Sequence, residues 1–334
     1  MKISASIYSD KKRALNEVIA DLVEHQVDLL HVDCNDDLTV FDDIREIREL
    51  CAIPIDLHII TDTPEKYYQP LIDAPVEYVT FQYEDLKKPL SIPDEITGKK
   101  GIAVTTPTSI EIFEEHKMFD FILIMATVPG QSGGKFDTVN FSKIREFRNK
   151  YPSKSIHVDG GVNAEVSFIL RNMGVTSAVS GSYLFNSASV GNALMNLTKR
   201  TIESHFSIGD FMTPISESPV VYSDELSMAS ILESIDSGRL GFTLVVEKDG
   251  KLSGLISNAD VRKGLLRHLN DLNVMDPREF LNIDPIIITD DATIVEMLQL
   301  IKKCKFPVMY LPVVGHDGYA KGIVTFVNLI KGEL

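Results

Sequence analysis

Cysteine is scarce in this chain of 334 residues: Cys34, Cys51 and Cys304 are the three present, widely spaced and without a C-x-x-C pair. That spacing excludes a disulfide framework and fits free thiols in a reducing compartment, so a cytoplasmic protein is expected. Long apolar runs are missing too. The stretch 121–128 falls far short of the roughly 20 residues that a membrane helix needs, and Met1-Lys2-Ile3-Ser4 enters an apolar segment without the layout of a signal peptide. Neither export nor a membrane span is expected. Positive charge is in deficit, with 33 Lys and Arg against 48 Asp and Glu for a formal net charge of -15. A phosphate backbone would be repelled by such a surface, and Lys99-Lys100 and Lys302-Lys303 are isolated pairs, so nucleic acid is excluded as an expected partner.

What is present has the texture of a globular protein, with 44% hydrophobic and 24% charged residues. Strand-like apolar segments occupy 2–7, 29–32, 55–59, 78–81, 101–104, 121–125, 155–158 and 178–180, eight in all. Helical patterns alternate with them, as in 12–25, where Ala14, Leu15, Val18, Ile19, Leu22 and Val23 form one stripe. Eight such units suggest a closed (β/α)8 TIM barrel. An open doubly wound sheet would place a glycine fingerprint after the first strand, and Ser6-Ile7-Tyr8-Ser9 has none.

Three strands carry ionisable groups. His31 and Asp33 lie two residues apart and so share a face, His58 follows Asp56 on the next strand, and His157-Val158-Asp159 ends in Gly160-Gly161. Polar groups at the C-terminal ends of barrel strands are the pattern of a barrel active site. Gly160-Gly161 after the seventh strand and Gly181-Ser182 after the eighth stand where barrels bind phosphate through backbone N–H groups, without a basic side chain. The loop 129–136, with Gly130, Gln131, Ser132, Gly133 and Gly134, is flexible enough to cover a ligand.

Beyond residue 200 the chain repeats itself. Met212-Thr213-Pro214 recurs as Met275-Asp276-Pro277, Pro219-Val220-Val221 as Pro285-Ile286-Ile287, and Gly254-Leu255-Ile256-Ser257 as Gly322-Ile323-Val324-Thr325. Each copy reads as a strand, a helix, a hairpin turning at Asp249-Gly250 or Asp317-Gly318, and a final helix, the two copies packing face to face. Two domains are expected: 1–202, and 207–334 with repeats near 207–270 and 271–334, joined near 203–208.

Taken together, Ser4-Ala5-Ser6-Ile7, His31-Val32-Asp33, Asp56-Leu57-His58, residues 125–136, Val158-Asp159-Gly160-Gly161-Val162 and Gly181-Ser182 resemble ribulose-phosphate 3-epimerases over nearly the whole barrel. The resemblance implies an enzyme that inverts C3 of a ketose phosphate, ribulose 5-phosphate or a related sugar phosphate. It implies one divalent ion (Zn, Fe, Mn or Co) on His31, Asp33, His58 and Asp159, with Asp33 and Asp159 moving protons through a metal-stabilised enediolate. Ser6, His58, Met125, Gly130, Gln131, Ser132, Gly133, Gly160, Gly161, Gly181 and Ser182 would then contact substrate. Departures from the family pattern are Asn35 and Ile60 at methionine positions, Gln82 at a histidine, Val128 at an acid, and a polar loop Asp36-Asp37-Leu38-Thr39-Val40-Phe41. They leave the proton-transfer groups intact and bear on which ketose phosphate is used. Decarboxylases on similar barrels need a lysine in an Asp-x-Lys-x-x-Asp strand motif, which Asp33-Cys34-Asn35-Asp36 lacks. A non-catalytic sensor or scaffold barrel would have no use for the four ionisable groups.

The repeat resembles a tandem cystathionine β-synthase (CBS) domain pair, most like the pair attached to arabinose-5-phosphate isomerases. The resemblance implies an adenosyl nucleotide site involving Thr243, Ser257, Asp260 and Thr325, with Asn328 where the second copy would need an aspartate for ribose. It also implies a homo-oligomer, since CBS pairs stack on one another, and a role in regulation or assembly.

Overall fold

A computed structural model describes residues 1–127, 133–198, 205–269, 271, 275–304 and 308–326. Its strands β1 (Lys2–Ser6), β2 (Leu29–Asn35), β3 (Ile55–Ile60), β4 (Tyr78–Gln82), β5 (Lys99–Thr105), β6 (Phe121–Met125), β7 (Ser155–Asp159) and β8 (Ser177–Ser180) close into a parallel barrel in chain order. Strands of such a barrel are covered on both faces, which is why they read as continuous apolar runs rather than alternating ones. Helices α1 (Leu15–Glu24), α2 (Val40–Leu50), α3 (Tyr68–Asp73), α4 (Val139–Lys150), α5 (Ala164–Asn172), α6 (Ser182–Phe185) and α7 (Val190–Thr198) accompany the strands. In α2 the buried residues Val40, Phe41, Ile44 and Ile47 recur at helical spacing. Tyr78, Phe121 and His157 fill the barrel's lower interior, with His157 stacked on Phe121 at 4.1 Å.

Helix α1 starts at Leu15 rather than at the expected residue 12. The Asp10 carboxylate accepts the amides of Lys12 and Arg13, and Glu17 reaches back to the Ala14 amide, so the first turn begins after this capped loop. One α-helix per strand fails twice among the described residues. After β4 a 3-10 turn, Tyr83–Asp85, leads into a segment broken by Pro89 and Pro93, neither of which offers an N–H. After β5 the 3-10 helix Ile110–His116 buries Ile110, Phe113 and His116, a three-residue spacing that matches three residues per turn.

The chain divides into two compact units, Met1–Ile202 and Glu203–Val327. In the second, α8 (Ile208–Phe211), β9 (Thr213–Pro214), β10 (Val220–Tyr222), α9 (Met228–Gly238), β11 (Phe242–Val246), β12 (Leu252–Ser257) and α10 (Asn258–Arg267) form the first copy. The second copy holds β13 (Ile288–Thr289), α11 (Ile294–Lys303), β14 (Tyr310–Val314) and β15 (Ala320–Thr325). Its expected final helix, with Asn328, lies outside the described residues. The copies share one core in which Phe242, Leu244 and Leu255 meet Ile323, and Phe242 stacks on Tyr310 at 3.8 Å. They also exchange edges: β9 of the first copy pairs with β15 of the second, while Asn282 bridges to Leu255 in the first.

Candidate active site

The period of two along a strand turns His31 and Asp33 to the same side of β2, and Asp56 and His58 to the same side of β3. Register then sets who meets whom: His31 lies beside Asp56, Asp33 beside His58, and Met125 beside Asp159. Asp33 Oδ1 is 3.2 Å from His31 Nε2 and 3.4 Å from His58 Nδ1, and Asp159 Oδ2 is 3.8 Å from His31 Nε2. One ligand atom from each of His31, Asp33, His58 and Asp159 lies within 4.8 Å of the other three. Both rings are fully buried, and His58 Nδ1 has no hydrogen-bond partner. An orphaned buried nitrogen facing carboxylates is a donor set that a divalent ion completes, and two imidazoles with two carboxylates suit zinc, iron, manganese or cobalt.

The two carboxylates differ in their proton affinity. Burial pushes Asp33 up, but the His31 and His58 rings outweigh it and hold this carboxyl well below the usual range. At Asp159 burial prevails over the attraction of His31, and with the Asp33 charge nearby the group is pushed up to about 6. Asp33 and Asp56 together raise His31 well above an ordinary imidazole against the opposing effect of burial.

Above this cluster opens a cavity of about 240 Å³, and Asp33 and Asp159 both line it. Ser6, Met125, Gly133, Gly160, Gly161, Gly181 and Ser182 line the same cavity, so the structure brings these candidates together with the carboxylates. Gly130, Gln131, Ser132 and Val128 lie outside the described residues. Gly160 and Gly161 have φ of +108° and +66°, and a Cβ on Gly161 would sit 2.2 Å from the Phe136 amide nitrogen. Only glycine fits that combination of left-handed backbone and close approach.

The ribulose-phosphate 3-epimerase family model matches residues 2–185 of this chain. The chain belongs to the ribulose-phosphate 3-epimerase family. It is 30% identical over 219 residues to the ribulose-phosphate 3-epimerase of Methanocaldococcus jannaschii, covering 61% of this chain and 92% of that one. The epimerase of Bacillus subtilis is 26% identical over 212 residues, covering 59% of this chain and 98% of its own. The CBS domain model matches 208–267 and 277–333, so the epimerase barrel is followed by a CBS pair. A structure titled as CBSX2 in complex with AMP is 24% identical and covers 38% of this chain and 96% of that one, with a TM-score of 0.33. The protein is an enzyme of the epimerase family, and among the described residues no helix is long and apolar enough to cross a membrane.

Several residues around the candidate site carried little signal in sequence. Asp56 accepts hydrogen bonds from Ser4 Oγ and the His31 ring, each at 3.0 Å, and Gln82 holds the other side of His58 at 2.8 Å. The alternation that places Asp56 on the face of His58 was available, but its pairing with His31 depends on strand register. Tyr8, Lys11, Asn35 and Thr127 line the cavity as well, brought there from loops and strand ends.

In the CBS pair a second cavity of about 330 Å³ lies between the copies, lined by Ser257, Asp260 and Lys263 from the first and by Asn282 and Tyr310 from the second. Thr243 is not brought to it: this side chain is fully buried in β11, with Oγ1 2.8 Å from Ser234 Oγ. Thr325 ends β15 and does not line that cavity either.

Proposed function

We propose that the enzyme inverts the C3 configuration of a ketose phosphate, ribulose 5-phosphate or a close relative, by proton transfer between Asp33 and Asp159. What carries this reading is the pair of carboxylates lining one cavity with unlike proton affinities, beside Gly160, Gly161 and Gly181. Their strands, β2 and β7, stand three steps apart around the barrel ring, so the groups can address a bound sugar from two sides. A single carboxylate would return the proton to the face it left; two allow inversion. Asp33, kept ionised by its histidine neighbours, takes the C3 proton, and Asp159, which holds a proton more readily, delivers one to the opposite face. In the reverse direction the roles exchange. His31, Asp33, His58 and Asp159 would hold one divalent ion, whose positive charge makes the C3 proton more acidic and offsets charge developing on the adjacent oxygens. Backbone N–H groups at Gly160-Gly161 and Gly181-Ser182 would take the phosphate, and Ser6 and Met125 would flank the sugar.

The CBS pair would take an adenosyl nucleotide in the cavity of Ser257 and Asp260 for regulation or assembly, within a homo-oligomer. The free cysteines Cys34, Cys51 and Cys304 suit a reducing cytoplasm. The division of labour would follow 1–202 for catalysis and 207–334 for the tail.

The experiment is solvent exchange. Metal-loaded protein is incubated in deuterated water with ribulose 5-phosphate and a panel of ketose phosphates, and deuterium at C3 is followed alongside metal content. Exchange at C3 with inversion is expected for at least one of them. No exchange with any member of the panel would refute the assignment.

A further inference from the structure

We infer that Asp56 and Gln82 are positioning residues that make the two histidines present opposite ring nitrogens to the divalent ion, His31 through Nε2 and His58 through Nδ1. The inference rests on the metal site proposed above and adds how this chain builds it.

His31 is fully buried, and its Nδ1 lies 3.0 Å from Asp56 Oδ2. Asp56 is itself only 1% exposed, and its Oδ2 already accepts the Ser4 hydroxyl at 3.0 Å. An ionised carboxylate can only accept, so the proton of this contact belongs to His31 Nδ1. The remaining nitrogen, Nε2, is the one that faces Asp33 and Asp159.

At His58 the polarity of the contact is set by an amide. Gln82 Oε1 lies 2.8 Å from His58 Nε2, while Gln82 Nε2 donates to the Glu84 carboxylate and lies 3.5 Å from the Ala103 carbonyl. Flipping the amide would set its oxygen against two acceptors, so the oxygen faces the ring and His58 Nε2 must carry the proton. Glu84 is pinned in turn by the Thr105 amide at 2.8 Å, the Thr105 hydroxyl at 2.7 Å and the Thr108 hydroxyl. The relay from β5 through Glu84 and Gln82 leaves His58 Nδ1 aprotic, unpartnered and 3.4 Å from Asp33 Oδ1. Partners on the far nitrogen of a metal-binding histidine fix its tautomer and typically matter about 10- to 100-fold in metal affinity.

The test uses the full chain with isotope-labelled histidine, loaded with spin-half cadmium at mildly alkaline pH and, in parallel, titrated with zinc. Two histidines are expected to show coupling to cadmium, one through Nε2 with a proton on Nδ1 and the other through Nδ1 with a proton on Nε2. Asp56→Leu is expected to disturb the first of these signals alone and to weaken zinc by about 100-fold, whereas Asp56→Asn, which keeps an oxygen acceptor without the charge, should retain the tautomer at a cost of about tenfold. Gln82→Leu should disturb the second signal alone, which tests the inference even if Asp56→Leu fails to fold. Coupling through the same nitrogen in both rings, or zinc affinity unchanged in Asp56→Asn and Gln82→Leu, would overturn it. Absence of C3 exchange in a wild-type sample with the expected nitrogens would sink the epimerization reading alone. Exchange with the nitrogens reversed would sink this inference alone, and a wild-type chain that binds neither zinc nor cadmium would remove the metal site and the inference together.

Discussion

The barrel and the CBS pair place their polar residues by opposite means. At the barrel mouth His31 on β2 and Asp56 and His58 on β3 are buried side chains, and each is hydrogen-bonded to a residue remote in sequence. In the CBS cavity Ser257 and Asp260 are three residues apart and already serve one another: the Asp260 amide donates to Ser257 Oγ at 3.3 Å, and the Ser257 hydroxyl and amide donate to the Asp260 carboxylate, opening α10 as a capping box. Substitutions in the barrel cluster should therefore strike chemistry first. Those in the CBS cavity should strike local stability and binding together.

The sharpest way to break that contrast is at the carboxylates. Asp33→Asn and Asp159→Asn are each expected to lower inversion at C3 by about 10²- to 10⁴-fold, while the AMP binding proposed for the tail, followed by calorimetry, is unchanged from the wild type. Full inversion in either variant would remove the acid and base roles.

Glycines give the next largest effect. Gly161→Ala forces a left-handed residue against the Phe136 amide, and should raise KM for the sugar phosphate while costing about 1–3 kcal/mol in thermal stability. Gly264→Ala, whose Cβ would fall 1.6 Å from the Phe280 ring, should destabilise the CBS pair by about 1–3 kcal/mol and leave KM alone. A KM change in the second variant as large as in the first would erase the distinction.

Proton linkage sharpens the comparison further. In the metal-free barrel Asp159 has its folded pKa raised to about 6 from 3.8, so its contribution to stability is fully present below 3.8 and is lost as pH rises through about 6. A proton on Asp159 competes with the ion for this carboxylate, so the increase in Tm on adding zinc should grow across the same window and continue above it as His31 gives up its raised proton. Scanning calorimetry of wild type and Asp159→Asn, with and without zinc, measures both slopes; a zinc increment that shrinks with rising pH would contradict the assignment.

The smallest effects lie in the tail. Ser257→Ala should cost about 1 kcal/mol from the lost cap and also weaken AMP. Thr243→Val, away from the cavity, should leave AMP affinity unchanged in the same titration.

Much of this was visible in the residues themselves. The apolar runs marked all eight barrel strands to within a few residues, because buried parallel strands have no polar face to interrupt them. Alternation and strand-end position, being local properties, made the ionisable strands legible, whereas the choice of His31, Asp33, His58 and Asp159 among their groups came from the resemblance to the epimerase motifs. Asp56 was not, since its partner is chosen by the stagger of β3 on β2. Gln82 read only as a departure from a family pattern, and its use as an oriented acceptor depends on Glu84 and Ala103 flanking its amide. The 3-10 helix after β5 was hidden for a similar reason: three-residue burial emerges only when Phe113 packs on Phe147 and Tyr151, at 4.9 and 5.0 Å.

By itself, then, the amino-acid order determined the strand and helix periods, the two-unit layout, the repeat and the residues able to do chemistry, all of them properties of short stretches or of spacing. Tertiary structure alone decided which nitrogen each histidine turns to the cluster, which carboxylate has the higher proton affinity, and that β9 crosses to the other copy's sheet. Those outcomes depend on register and desolvation between segments far apart in sequence, and neither exists until the chain has closed on itself.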